Sequence, residues 1–117
     1  GRRLGFAHFD VEGAELDVLR GSTLTFARDR PIFSVEVHVA ENVTFTRELL
    51  THTQTLGYTA LLIVEQCGLK WDCRNLLHVP NESLATWGAV TRDRRVRVVD
   101  ADSLVPAVEE QRASVRG

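Results

Sequence analysis

The sequence predicts an α/β fold: parallel strands with covering helices, closed by an antiparallel hairpin. Three observations carry this. Short apolar stretches rich in β-branched and aromatic residues recur along the chain, and between the first three of them lie stretches with apolar residues three and four apart. Later, two apolar stretches flank "GLKWD" (68–72), which reads as a turn. Alternating strand and helix patterns favour parallel strands with crossover helices, whereas strands joined by a short turn run antiparallel.

Taken in order, "RLGFAHF" (3–9) is apolar and bounded by turn formers, as a buried strand would be. From Gly13 the spacing changes. Ala14 and Val18 are four apart and Leu16 and Leu19 three apart, which makes one apolar helical face, and Glu15, Asp17 and Arg20 fall between them. Gly21 is a natural stop, and "STLTFAR" (22–28) adds a further turn. Pro31 ends any helix and "IFSVEVHV" (32–39) reads as the second strand. Phe45, Leu49 and Leu56 mark a helix closed by Gly57. "YTALLIVEQ" (58–66) and "RNLLHVP" (74–80) are the hairpin strands, and "ESLATWGA" (82–89) reads as a short helix. Beyond residue 88, "RVRVVD" is a candidate strand and "SLVPAVEEQR" a candidate helix with Pro106 near its start.

Composition narrows the function classes. An apolar fraction of 44%, a charged fraction of 26% and a net charge of −2 describe an ordinary globular chain. They give no general case for nucleic acid as partner, and the one arginine cluster, "RDRRVR" (92–97), reads as a solvated surface. No apolar run reaches the ~20 residues of a membrane span. The first residues lack the long apolar stretch and cleavage site of a signal peptide; opening almost directly on a strand without Met, they suggest a piece of something longer. Cys67 and Cys73 read as two free thiols in a reduced compartment, which favours the cytoplasm, although a disulfide across the hairpin is geometrically conceivable.

In open α/β sheets ligands bind beyond the carboxyl ends of the strands. Asp10 and Glu12 stand at that end of the first strand, and Glu36 and His38 at that of the second. Two readings stand side by side. The acids complement the helix N-terminus that follows, worth ~0.3–1 kcal/mol, or the four side chains form a site. His8 and Asp10, with a distant His38, His52 or His78, have the spacing of a facial-triad iron site. Such sites belong to β-sandwich-like oxygenases, however, whereas here a helix pattern begins within three residues of Asp10. No metal ligand is assigned.

"FDVEGAELDVLRG" (9–21), "RPIFSVEVH" (30–38) and "CRNLLHVP" (73–80) together resemble the second half of an FkbM-type methyltransferase. The resemblance runs from about residue 4 to residue 80. It implies the C-terminal half of a Rossmann-like class I methyltransferase sheet over residues 1–88, with 89–117 a tail of uncertain structure. It implies S-adenosylmethionine as cofactor and methyl transfer to an oxygen of a small molecule or sugar. Asp10 and Glu12 would be the catalytic pair, with Asp10 also beside the cofactor, and Glu36 and His38 would bind the acceptor. The pattern departs from the family in one respect. Gly1, Gly5 and Gly13 form no glycine-rich loop of the kind that holds this cofactor, so the chain on its own would be inactive. A non-catalytic α/β interaction module built on the same scaffold is the alternative. In the family's sheet "LGFAHF" (4–9) would be central, so in this chain it should be an edge strand.

Overall fold

The computed structural model describes residues 5–9, 15–39, 41–63 and 73–116. Among these residues five strands form one sheet: β1 (Phe6–Phe9), β2 (Ile32–His38), β3 (Tyr58–Ile63), β4 (Cys73–Pro80) and β5 (Val96–Val99). Five α-helices among the same residues accompany them: α1 (Glu15–Gly21), α2 (Thr23–Asp29), α3 (Val43–Thr55), α4 (Gly88–Thr91) and α5 (Leu104–Arg116). The strand order is β1-β2-β4-β3-β5. β1 and β2 are parallel, β4 is antiparallel to both β2 and β3, and β5 is antiparallel to β3.

The α/β class read from the sequence is therefore present, and the hairpin strands pair as expected. The "GLKWD" turn that joins them falls outside the described residues. Less expected is the position of β4, which lies between β2 and β3 rather than outside them. Among the described residues β1 has one neighbour, β2, and forms the edge; Phe6 on it is 59% exposed.

Side-chain alternation divides the sheet. Along β2, Phe33, Val35 and Val37 are buried and Ile32, Ser34, Glu36 and His38 are half-exposed. The buried set joins one core with Leu16 and Leu19 of α1, Phe26 of α2, Leu49 and Leu50 of α3, and Leu104, Ala107 and Val108 of α5. All four of these helices thus serve the same sheet face. The stretch 89–117 supplies β5 and α5 to this arrangement.

The predicted helical faces hold. Leu16 and Leu19 are buried while Asp17 and Arg20 are exposed. "STLTFAR" makes a second helix rather than an extra turn, since Ser22 breaks the run and the Thr23 hydroxyl donates to the Leu19 and Arg20 carbonyls. In α3 the Asn42 side chain accepts from the Phe45 N–H, an N-cap at 3.2 Å. "ESLATWGA" is not one helix. It holds part of a 3₁₀ turn (Asn81–Ser83), then turns, and only the start of the four-residue α4.

The junction between α2, α3 and the sheet is held by Arg30. This residue ends α2 in the left-handed region (φ 50°), a conformation that costs a non-glycine residue roughly 1–2 kcal/mol. Its guanidinium donates to the carbonyls of Leu56 (2.6 Å) and Gly57 (2.9 Å), pairs with Glu82 and lies over the Tyr58 ring. Gly57 closes α3 at φ 80°, where a side chain would also crowd the Arg30 guanidinium. Tyr58 in turn donates to the Pro31 carbonyl at 2.6 Å and sits edge-on to Phe33.

Candidate functional site

Because β1 and β2 are parallel neighbours, their carboxyl ends lie on the same side of the sheet. Asp10 follows the last residue of β1 in sequence; Asp10 and Glu12 themselves lie outside the described residues. Glu36 and His38 are described. They sit two residues apart on β2 and so share its outward face, away from the helical core.

The register of β4 adds two residues. His38 is opposite Cys73 and Glu36 opposite Asn75. Directly opposite residues of antiparallel strands share a face, so Glu36, His38, Cys73 and Asn75 form one patch. Glu36 Oε1 is 3.3 Å from Cys73 Sγ and 3.8 Å from His38 Nε2. Cys73 is buried, whereas the Glu36 and His38 side chains are 24% and 39% exposed. His38 Nδ1 and Asn75 Oδ1 are buried with no hydrogen-bond partner. The patch therefore combines a carboxylate, an imidazole and a sulfur with polar atoms able to take on further bonds. A hydroxyl ligand could both donate to and accept from such a rim.

Cys73 is disulfide-bonded, and no cysteine among the described residues is free, which corrects the reading of free thiols; Cys67 lies outside the described residues. A bridged sulfur carries no hydrogen, so its contact with Glu36 is not a thiol hydrogen bond. Sequence reasoning did not include Cys73 in the site. The signal that would have found it is the pairing of β4 with β2, which alternation along a single strand does not reveal.

The histidines separate by face. His8 lies beside Ser34, with Nδ1 to Oγ 2.5 Å, in the same outward row as Glu36 and His38. His78 faces the core, fully buried and stacked on Phe33 at 4.4 Å with its ring nearly parallel. Nδ1 of His78 donates to the Leu76 carbonyl, which leaves Nε2 as a bare acceptor. Burial pushes its pKa down to about 4, partly opposed by that carbonyl. His52 belongs to α3, where burial and then Arg20 lower its pKa. Neither His78 nor His52 joins the strand-end patch. A groove of about 540 Å³ lies between α1 and α3, lined by Arg20, Arg47, Glu48 and His52 among others. Its lining includes neither Glu36 nor His38.

No helix among the described residues is long and apolar enough to cross a membrane. A family model described as the methyltransferase FkbM domain matches residues 2–68, more than half of the chain. That span takes in β1, β2 and β3 with the ends of the two parallel strands, and stops short of β4. No curated protein and no solved structure matches the chain.

Proposed function

The chain belongs to the FkbM methyltransferase domain family, and from that premise we propose that it forms the acceptor side of an S-adenosylmethionine-dependent methyltransferase acting on an oxygen of a small molecule or sugar. The observation that carries this reading is the strand-end patch. Two parallel neighbouring strands inside the matched span end together, and the second presents Glu36 and His38 outward. The antiparallel hairpin that follows the parallel strands supports the C-terminal half of a class I methyltransferase sheet as the scaffold.

The described residues do not by themselves fit S-adenosylmethionine. Its methionine and ribose ends call for a glycine-rich loop opening after a strand, where backbone can approach closely. The described glycines stand elsewhere. Gly5 precedes β1, Gly21 ends α1, Gly57 precedes β3 and Gly88 opens α4; at Gly57 and Gly88 an arginine side chain already occupies the approach. Residues other than the described ones would therefore supply the cofactor side.

What this chain would contribute is alignment and proton acceptance. Glu36 and His38 hold the acceptor hydroxyl, and the outward position of both side chains suits that role. Asp10 and Glu12 are the proposed catalytic pair, with Asp10 nearest the cofactor. A carboxylate taking the hydroxyl proton would supply roughly 10²–10⁴-fold. The alternative, a non-catalytic interaction module, draws its support from the same lack of a glycine cradle.

The test is methyl transfer from labelled S-adenosylmethionine by the protein joined to its cofactor side. His38→Ala and Glu36→Gln should each raise the acceptor KM by about 10–100-fold, the loss of one hydrogen bond involving a charged group at roughly 1.5–3 kcal/mol. Affinity for S-adenosylmethionine should not change. An unaltered acceptor KM in both variants would remove these residues from the acceptor pocket.

A further inference from the structure

The patch at the end of β2 also has the composition of a metal site. Glu36, His38 and Cys73 each offer one ligand atom, and these atoms all lie within 4.8 Å of one another. The backbone sets this arrangement, since two of the residues are alternate positions of β2 and the third is the register partner of His38 on β4. Tetrahedral zinc, with bonds of about 2.3 Å to sulfur and 2.0–2.2 Å to nitrogen and oxygen, places neighbouring ligand atoms roughly 3.3–3.6 Å apart. Two of the three observed separations, 3.3 Å (Oε1 to Sγ) and 3.8 Å (Oε1 to Nε2), need adjustments of only a few tenths of an ångström, and the third, from sulfur to imidazole, lies within 4.8 Å and closes by rotation of the half-exposed His38 side chain. The partly exposed Glu36 and His38 side chains leave an entry path.

In the bridged state the sulfur is not a thiolate, and the thiolate is the metal ligand. We infer that reduction of the Cys73 disulfide opens a divalent-metal site whose ligands are the Cys73 thiolate, the His38 imidazole and the Glu36 carboxylate. Zinc suits this mixed sulfur, nitrogen and oxygen set. A dithiol reductant delivers two electrons and two protons: the S–S bond breaks, two thiols form, and the reductant's own sulfurs close into a disulfide. Metal binding then releases the Cys73 thiol proton to solvent. Three protein ligands leave the fourth position to water. The site goes beyond the methyl-transfer reading and does not depend on it.

Cobalt(II) is the probe, because a thiolate bound to it gives a near-ultraviolet charge-transfer band. The 117-residue chain should show no such band as isolated, and should bind one cobalt with that band after reduction by a phosphine. Cys67→Ser should show it without any reductant, as this variant removes the one other cysteine in the sequence. Zinc should displace the cobalt, and His38→Ala and Glu36→Gln should each weaken binding at least tenfold. If Cys67→Ser does not fold, the reduced wild-type chain decides. Absence of the band in that chain overturns the inference. So does a band that both His38→Ala and Glu36→Gln leave unchanged, since the metal would then rest on the thiols alone.

Discussion

Asp10→Asn should lower kcat by about 10²–10⁴-fold in the protein joined to its cofactor side, the range of a general base removed from its proton. The substitution keeps the size and shape of the side chain and removes the charge. Asp10 comes directly after β1 in the sequence, and β1 pairs with β2, the strand whose end carries Glu36 and His38. A carboxylate there would be within the group that orients the acceptor hydroxyl. Were it only a complement to the following helix N-terminus, its loss would be worth ~0.3–1 kcal/mol. That is about a fivefold effect at most, and it would fall on stability. Asp17→Asn is the matched control, the same change at an exposed position of α1. Denaturant midpoints and turnover are measured for both. A large kcat loss at Asp10 alone supports the catalytic role; equal, small losses at both positions reduce Asp10 to a helix-terminus acid.

Acidification from about pH 7 to about pH 4 should cost the fold on the order of 3 kcal/mol through His78 alone. The ring is fully buried against Phe33, and its pKa falls from 6.5 to about 4 because burial opposes the charged form. Between these values the unfolded chain binds a proton that the folded chain refuses. The stabilisation is therefore complete above about pH 6.5 and is lost as pH falls towards 4. The lowered carboxylates act in a different window. Glu82, held at about 2 by its hydrogen bonds with Arg30, and Asp93, held at about 2 by Arg95, lose their contribution only below the ordinary carboxylate range. Both are surface pairs and count for little. His78→Phe keeps a ring stacked on Phe33 and removes the titration. Urea midpoints between about pH 4.5 and 7 should fall steeply for wild type and much less for the variant, with a residual slope from His52. Parallel slopes would show that His78 titrates without cost to the fold.

What could be read from the sequence was what depends on neighbours in the chain. Leu16 and Leu19, spaced by three, marked the buried side of α1, and Asp17 and Arg20 fell outside it. Glu36 and His38 were placed at the carboxyl end of the second strand from the chain order alone, and the structure keeps them there. Pro106 near the start of α5 was equally local. The place of β4 was not local. A hairpin fixes that β3 and β4 pair, but insertion of β4 next to β2 depends on which of its sides finds a partner. β4 is buried at six of its eight positions, so its periodicity names no exposed edge. Cys73 was missed as part of the patch for that reason. The disulfide was missed for another: a six-residue cysteine spacing fits a bridge and fits two thiols equally well. With it, the reduced-compartment expectation loses the support it drew from free thiols.

Under the proposed function labour is divided: this chain would hold the acceptor side of a methyl-transfer site, and other residues would form the cofactor's cradle. Calorimetric titration of S-adenosylmethionine tests it most directly, into the 117-residue chain alone and into the same chain joined to its cofactor side. No measurable heat of binding is expected in the first case and saturable binding in the second. Saturable, micromolar binding by the chain alone would contradict it.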